Sequence, residues 1–312
     1  MKWWLIEGLE LRGLPAFWVP GYGVLVGVAS VLAAVVVLRL GTREGADRRT
    51  DATAMLVAYV GALAGGYAYE WLRVTPQALA ELSWSPYSHV GRAAYGGLLF
   101  AVTSAALYLR HRGASIGPFL DRCAVVIGLI FALVRLGCLL EGCDYGHVTA
   151  GFLGFRYPPG APAALDHVAL GWVPAGAPSL PVHLTQVYEG LGALLASALA
   201  SAVRAARLER DAFPAGAAFA AWLACYAVVR ALVELLRADA ERGLYAGLST
   251  ASWTSLGLLV AVAAWLLLRR ARAVAPSVMH DDAVPALDVG PRADARREIG
   301  GGPAQRSGAG DR

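Results

Sequence analysis

Apolar residues in this chain come in long runs broken by short polar connections, and they do not alternate with polar positions. Seven runs stand out, at 21–38, 54–72, 93–109, 123–140, 184–203, 214–236 and 253–268. About twenty apolar residues in a helix span the ~30 Å hydrocarbon core of a bilayer. In that medium each backbone N–H and C=O has to be satisfied within its own segment, which a helix does. The runs predict an all-α, polytopic membrane protein with seven transmembrane helices. Those at 54–72, 93–109 and 184–203 are rich in Ala and Gly and are the weakest of the seven.

The arginines set the direction, because basic residues collect in cytoplasmic connections. Arg39, Arg43, Arg48 and Arg49 follow the first run, and Arg110, Arg112 and Arg122 follow the third. Arg204, Arg207 and Arg210 follow the fifth, and Arg269, Arg270 and Arg272 follow the seventh. The opposite side is sparser, and its longest connection, 141–182, holds only Arg156. The N-terminus is therefore expected outside and the C-terminus in the cytoplasm. A membrane domain is expected over 1–275, with 141–182 as an extracytoplasmic cap rich in Pro, Gly and Ala. The segment 276–312 lacks periodicity and reads as a disordered cytoplasmic tail. Glu7, Glu10 and Arg12 interrupt the apolar core that a cleavable signal would need. Trp3, Trp4, Phe17 and Trp18 suit a segment lying at the membrane interface.

Composition agrees with a lipid environment. Hydrophobic residues fill 57% of the 312 positions and charged residues 16%, against roughly 25% charged in soluble domains. Mean hydropathy is +0.52. The net charge of +4 comes almost wholly from arginine, Lys2 being the only lysine. No basic patch with interleaved aromatics points to nucleic acid. The four cysteines, Cys123, Cys138, Cys143 and Cys225, form neither a secreted disulfide framework nor a CxxC zinc pattern. No metal and no cofactor are expected. No internal repeat supports an inverted-repeat transporter.

Against this background the polar residues inside the runs are the informative ones. Arg135 is the only charge between Cys123 and Leu140. An arginine at the centre of a span costs roughly 2.5–3.5 kcal/mol on insertion scales, so its default reading is functional, the bland one being a pair that holds the bundle together. In the sixth run Tyr226, Arg230, Glu234 and Arg237 are spaced four, four and three apart, on one face of a helix. Helix rise puts Arg135 ~18 Å and Arg230 ~24 Å from the inner ends of their runs, both in the outer half of the bilayer. Tyr22, Tyr95, His183, Gln186, Tyr188 and Glu189 open other runs on that same side. Together they predict a polar, arginine-lined cavity open to the outer leaflet. Guanidinium groups bind phosphate oxygens bidentately, so the cavity suits an anionic headgroup.

These residues resemble the prolipoprotein diacylglyceryl transferases, integral membrane enzymes of bacteria. Arg135-x-Gly137 followed by Gly142-x-x-Tyr145-Gly146 resembles the family signature R-x-G-N-F-x-N-G-E-x-[YW]-G. His183-Leu184-Thr185-Gln186-Val187-Tyr188-Glu189 resembles H-P-[ST]-Q-L-Y-E, and Tyr226, Arg230, Glu234 and Arg237 match Y-x-x-x-R-x-x-x-E-x-x-R. Tyr22-Gly23 matches a Tyr-Gly pair of the first span. The departures are specific. Cys138 and Glu141 stand at the two Asn positions, Cys143 at the Glu, Tyr95 at a His before Gly-Gly, and Leu184 at the Pro. Gly-Cys-x-x-x-Gly-Cys-x-Tyr-Gly is similar to a divergent branch of the family.

The resemblance implies transfer of diacylglyceryl from phosphatidylglycerol to the lipobox cysteine in a preprolipoprotein signal peptide. A thioether forms and glycerol phosphate leaves. The expected place is the bacterial inner membrane, with the lipid bilayer itself a partner. Arg135 and Arg230 are the implied phosphate holders, and Glu234 orients Arg230. A thiol with a pKa near ~8.5 needs a base or a positive field, and Tyr95, His183 and His89 remain open as that base. Tyr22, Gly137, Cys138, Cys143, Gly146, Gln186, Tyr188, Glu189, Tyr226 and Arg237 are expected to line the substrate site. The alternative is a non-catalytic protein that binds anionic phospholipid or a lipidated partner, since two amides, a carboxylate and an imidazole of the implied site are replaced. Cys138 and Cys143 are not neighbours on a regular helix. They either fill tight packing as small residues or meet because Gly142 ends the helix.

Overall fold

Ser115 starts the arginine-bearing helix before its apolar core, with an extended backbone that sends α4 from Ile116 to Glu141. A computed structural model describes residues 21–81, 94–238 and 244–274 of the chain. The N-terminal aromatic segment, His89, Arg92 and the 276–312 tail lie outside the described residues. The helices in order are α1 (Gly21–Arg43), α2 (Arg48–Glu81), α3 (Ala94–His111), α4, α5 (Pro162–Ala169), α6 (Thr185–Arg210), α7 (Ala217–Glu234) and α8 (Thr250–Val274). Two-residue strands β1 (Leu244–Tyr245) and β2 (Leu248–Ser249) pair antiparallel before α8. Met1–Leu266 forms one compact unit, and Leu267–Arg312 a second, described only as the end of α8.

The described residues are thus nearly all helical, and each predicted run overlaps a helix. Among the described residues, five stretches are long and apolar enough to cross a membrane: Val24–Arg43, Ile116–Glu141, Thr185–Arg210, Ala217–Glu234 and Thr250–Ala271. The chain is a multi-pass membrane protein on that count. α2 and α3 cover the second and third runs, whose Ala and Gly content lowers their hydropathy. The connection expected as a cap carries α5, started by Pro162 at its first turn, where the missing N–H costs nothing.

Small residues let the central helices approach closely. α4 packs chiefly on α6 and α1, α6 also on α7, and α2 on α3. Ala193, Ala196 and Ala200 of α6 are fully buried against Ala124 of α4 and Trp222 and Tyr226 of α7. The Ser197 hydroxyl accepts from Gly128 N–H at 2.9 Å and donates to the Ala124 carbonyl at 2.8 Å. Small-residue seams and crossing hydroxyls of this kind hold membrane helices together. A Cβ at Gly128 would collide with the Ala193 carbonyl oxygen. Backbone cannot yield there, so α4 and α6 would have to separate. Gly128→Val is expected to cost about 3 kcal/mol or more. A lowered unfolding midpoint in detergent checks it, and an unchanged midpoint would contradict the seam.

Arginines of the third and fifth connections meet acidic residues at one end of the bundle. Arg122 donates to Asp51 at 2.7 and 2.8 Å and to Glu44 at 2.9 Å, and Arg204 also pairs with Glu44. Arg207 Nε lies 3.2 Å from the buried Asp121 carboxylate. Asp121 in turn accepts from the Gly216 and Phe219 N–H groups at 2.9 and 3.1 Å. It thereby caps the start of α7, whose first amides have no helical partner of their own. Three of the arginines that set the predicted direction, Arg122, Arg204 and Arg207, therefore also tie the ends of α1, α2, α4, α6 and α7.

Candidate functional site

At the other end, Arg135 lies six residues before the last residue of α4, and its guanidinium points at carboxylates from two other elements. Nη1 is 2.5 Å from Asp144 Oδ2 and Nη2 is 2.8 Å from Glu189 Oε1. Arg135 is 8% exposed, and its Nε is buried with no hydrogen-bond partner. Glu189, in the second turn of α6, is 2% exposed and acts as a hub. Its Oε1 also accepts from the Tyr226 hydroxyl at 2.5 Å and lies 3.7 Å from Arg230 Nε. Arg230 donates to Glu234 Oε2 at 2.5 Å, one helical turn away on α7.

Arg237 departs from the predicted pattern. α7 ends at Glu234, so Arg237 is not on the helical face of Tyr226, Arg230 and Glu234. The backbone after Glu234 turns through Leu235 and Leu236 and bridges Gly146, with His147 N–H donating to the Leu236 carbonyl at 2.8 Å. That bridge aims Arg237 Nη2 at Asp144 Oδ1, 2.5 Å away. Arg135, Arg230 and Arg237 are thus interleaved with Asp144, Glu189 and Glu234, three cations with three carboxylates, in a largely buried cluster. Buried charges are held only when paired in this manner.

The loop that supplies Asp144 is made by Gly142. Its φ of 77° closes α4 in the left-handed region, and the Gly142 and Cys143 N–H groups both donate to the Cys138 carbonyl, at 2.9 and 3.2 Å. This closure brings the third residue from the helix end against the second residue past it, here Cys138 and Cys143. Asp144 itself has φ 57°, a conformation Asp tolerates better than most residues. Thr185 donates through its hydroxyl to the Asp144 carbonyl. The Gln186 amide donates to the Cys143 carbonyl at 2.5 Å and to the Tyr157 hydroxyl at 3.0 Å, and its buried Oε1 has no partner. Gly146 is packed so tightly that a Cβ would meet the Leu236 carbonyl oxygen at 2.7 Å.

Burial pushes the Asp144 carboxyl up, but the Arg135 and Arg237 guanidiniums outweigh it and hold it at about 2. A hydrogen bond with the Cys138 side chain, and then burial, push the Cys143 thiol well above its ordinary value. Burial also pushes the Tyr157 phenol up, with the Gln186 amide offsetting part of the effect. Cys138, Cys143 and Asp144 offer ligand atoms within 4.8 Å of one another. Both Asp144 oxygens are already taken by guanidiniums, which leaves the group a poor metal triad.

The structure therefore brings together Arg135, Cys138, Cys143, Gly146, Gln186, Glu189, Tyr226, Arg230, Glu234 and Arg237. Gly137 is buried on α4 beside them. His183 and Tyr188 sit at the edge, their side chains 3.3 Å apart, and the His183 backbone pairs with Gly146 and His147. Tyr22 and Tyr95 start α1 and α3, but their side chains lie outside the described residues, as does His89. Sequence reasoning missed Asp144, Tyr157 and Thr185. For Asp144 a signal existed: an acid beside Cys143, one position past the place where the similar family carries Glu.

The family model for prolipoprotein diacylglyceryl transferase matches residues 11–268. The chain is 27% identical over 261 residues to the phosphatidylglycerol–prolipoprotein diacylglyceryl transferase of Clostridium tetani, covering 80% of this chain and 92% of that one. It is 26% identical over 256 residues to the second such protein of Clostridium perfringens, covering 80% and 90%. With the Bacillus cereus protein of the same description it shares 27% over 269 residues, covering 84% and 91%.

Proposed function

The chain belongs to the prolipoprotein diacylglyceryl transferase family, and from that premise we propose that it moves diacylglyceryl from phosphatidylglycerol to the lipobox cysteine of a preprolipoprotein. The relatives described above carry phosphatidylglycerol and prolipoprotein in their names. The cysteine sulfur attacks the glyceryl carbon that bears the phosphate, the carbon–oxygen bond breaks, and glycerol phosphate leaves with the electron pair. The thiol proton passes to a base among Tyr95, His183 and His89. Fixed positive groups at the departing oxygens do most to lower the barrier of such a step.

The observation that carries this reading is the convergence of Arg135, Arg230 and Arg237 from α4, α7 and the bridge after α7. Arg135 keeps Glu189 on one nitrogen and has an unused Nε for a phosphate oxygen. Asp144 is the group that the phosphate displaces or shares, because its two oxygens bridge Arg135 and Arg237. Glu189 and Glu234 keep the guanidiniums in place. Cys138, Cys143, Gly137, Gly146, Gln186, Tyr188 and Tyr226 line the same end, and Tyr22 is proposed as a further substrate contact from the family resemblance alone.

Purified protein given phosphatidylglycerol and a lipobox peptide is expected to release glycerol phosphate and to add diacylglyceryl to the peptide cysteine. Binding without either product would sink the enzyme reading. One observation favours that second reading: the three arginines are already matched by three carboxylates, as in a structural network. Cys138→Asn with Cys143→Glu separates the two. Activity gained only in this double variant marks a binding protein on a transferase frame.

The proposed setting is the bacterial inner membrane, with seven spans, the N-terminus and site outside, a membrane domain over 1–275 and a cytoplasmic tail. It is supported by the clustering of Arg122, Arg204 and Arg207 at the end opposite the site. Ala175 and Ala212 are both exposed, one in each connection. In intact spheroplasts an impermeant thiol reagent should label Ala175→Cys above the native background and leave Ala212→Cys unlabelled. The reverse pattern would invert the orientation.

A further inference from the structure

The closing turn of α4 holds two thiols that transfer chemistry leaves without a role. Cys138 is buried, Cys143 is half-buried, and both are free. Their sulfurs lie within 4.8 Å of each other, although the residues are five apart in sequence. Two hydrogen bonds make this possible, from the Gly142 and Cys143 N–H groups to the Cys138 carbonyl, with Gly142 left-handed at φ 77°. A second observation concerns their place. Cys143 is followed directly by Asp144, which bridges Arg135 and Arg237, and its carbonyl accepts from Gln186. Arg135 Nη1 is 4.0 Å from the Cys138 sulfur. A bond between the sulfurs would therefore tie the arginine-bearing helix to the loop that neutralises it.

We propose that Cys138 and Cys143 are a redox pair, a dithiol that closes to a disulfide across the end of α4. The electron acceptor is the disulfide of a thiol oxidoreductase or of a glutathione-type molecule. One thiol loses its proton and its sulfur attacks that disulfide, giving a mixed disulfide and one released thiol. The second thiol then loses its proton and displaces the other sulfur. Two hydrogens leave the pair, two electrons reduce the acceptor to two thiols, and one sulfur–sulfur bond replaces another. The geometry needs only that the sulfurs rotate toward each other, because the turn already sets the backbones side by side. The closed form fixes Asp144 on Arg135 and Arg237, and the open form lets it yield. Formation of the bond does not rest on the transferase reading and is read on protein without substrate.

Trypsin would release both cysteines in one peptide, 136–156, with Cys123 and Cys225 in others. Full-length protein in detergent, with chelator present, is treated with oxidised glutathione or with dithiothreitol, acid-quenched, denatured and alkylated. After oxidation the 136–156 peptide should lose both alkyl adducts and weigh two hydrogens less than its dithiol form. Dithiothreitol should restore both adducts. Cys123 and Cys225 should keep their adducts throughout, and in Cys143→Ser the 136–156 peptide should never show the two-hydrogen loss, Cys138 carrying either its alkyl adduct or a trapped glutathione. Adducts retained after oxidation would overturn the pair. So would a glutathione adduct as the end product in the protein with both cysteines, a disulfide between two chains, or protection that chelator alone removes, which would mean a bound metal.

Discussion

Arg135→Ala should abolish release of glycerol phosphate and transfer of diacylglyceryl together, lowering turnover by about a thousandfold or more. No other basic residue lies in α4 beyond Arg122, and that one is engaged at the opposite end. The substitution also strips a counter-charge from Asp144 and Glu189, so a loss of folded protein has to be distinguished from a loss of chemistry. Arg135→Lys does this. It keeps a charge but not the fork that reaches two carboxylates at once and still leaves Nε available. Turnover with Arg135→Lys is expected to fall at least about a hundredfold, while the protein accumulates in membranes at the native level. Near-native turnover would remove Arg135 from the phosphate site. Failure of both variants to accumulate would make it a structural ion.

The runs of apolar residues were legible because burial in lipid needs no tertiary detail. α1, α4, α6, α7 and α8 overlap their runs and extend beyond most of them by polar turns that hydropathy cannot see. The register of Tyr226, Arg230 and Glu234 was legible too, since a helical repeat fixes which residues share a face. Arg237 was not, because the end of α7 is set by a bridge to Gly146, almost a hundred residues earlier. Asp144 was missed for a related reason. Its value comes from the left-handed turn at Gly142, which sends a loop carboxylate back over the helix that carries Arg135. The Cys138–Cys143 contact hinged on that same φ, and the sequence could offer it only as one of two readings. Spacing names the residues on one helix, whereas the site is built where helix ends meet.

Glu189→Gln is the substitution expected to cost most in folding. One carboxylate oxygen holds Arg135 at 2.8 Å and Tyr226 at 2.5 Å and lies 3.7 Å from Arg230, so α4, α6 and α7 all meet on it. The amide keeps the shape but removes the charge. Two buried guanidiniums would then share Asp144 and Glu234, and an amide nitrogen turned toward either would repel it. Breaking one partner out of a buried ion cluster costs about 3–5 kcal/mol, a large part of the ~5–15 kcal/mol that keeps a typical domain folded. The variant should therefore accumulate poorly and unfold well below the native midpoint in detergent. Tyr226→Phe provides the contrast. It removes one hydrogen bond to the same oxygen and leaves both ion pairs, for a cost of about 1.5–3 kcal/mol. Glu189 as the hub thus predicts an order: native, then Tyr226→Phe, then Glu189→Gln. A Glu189→Gln protein as stable as Tyr226→Phe would mean that the arginines find their balance elsewhere, in Asp144 and Glu234. The cluster would then be less a frame for the fold than a set of charges free to receive a phosphate.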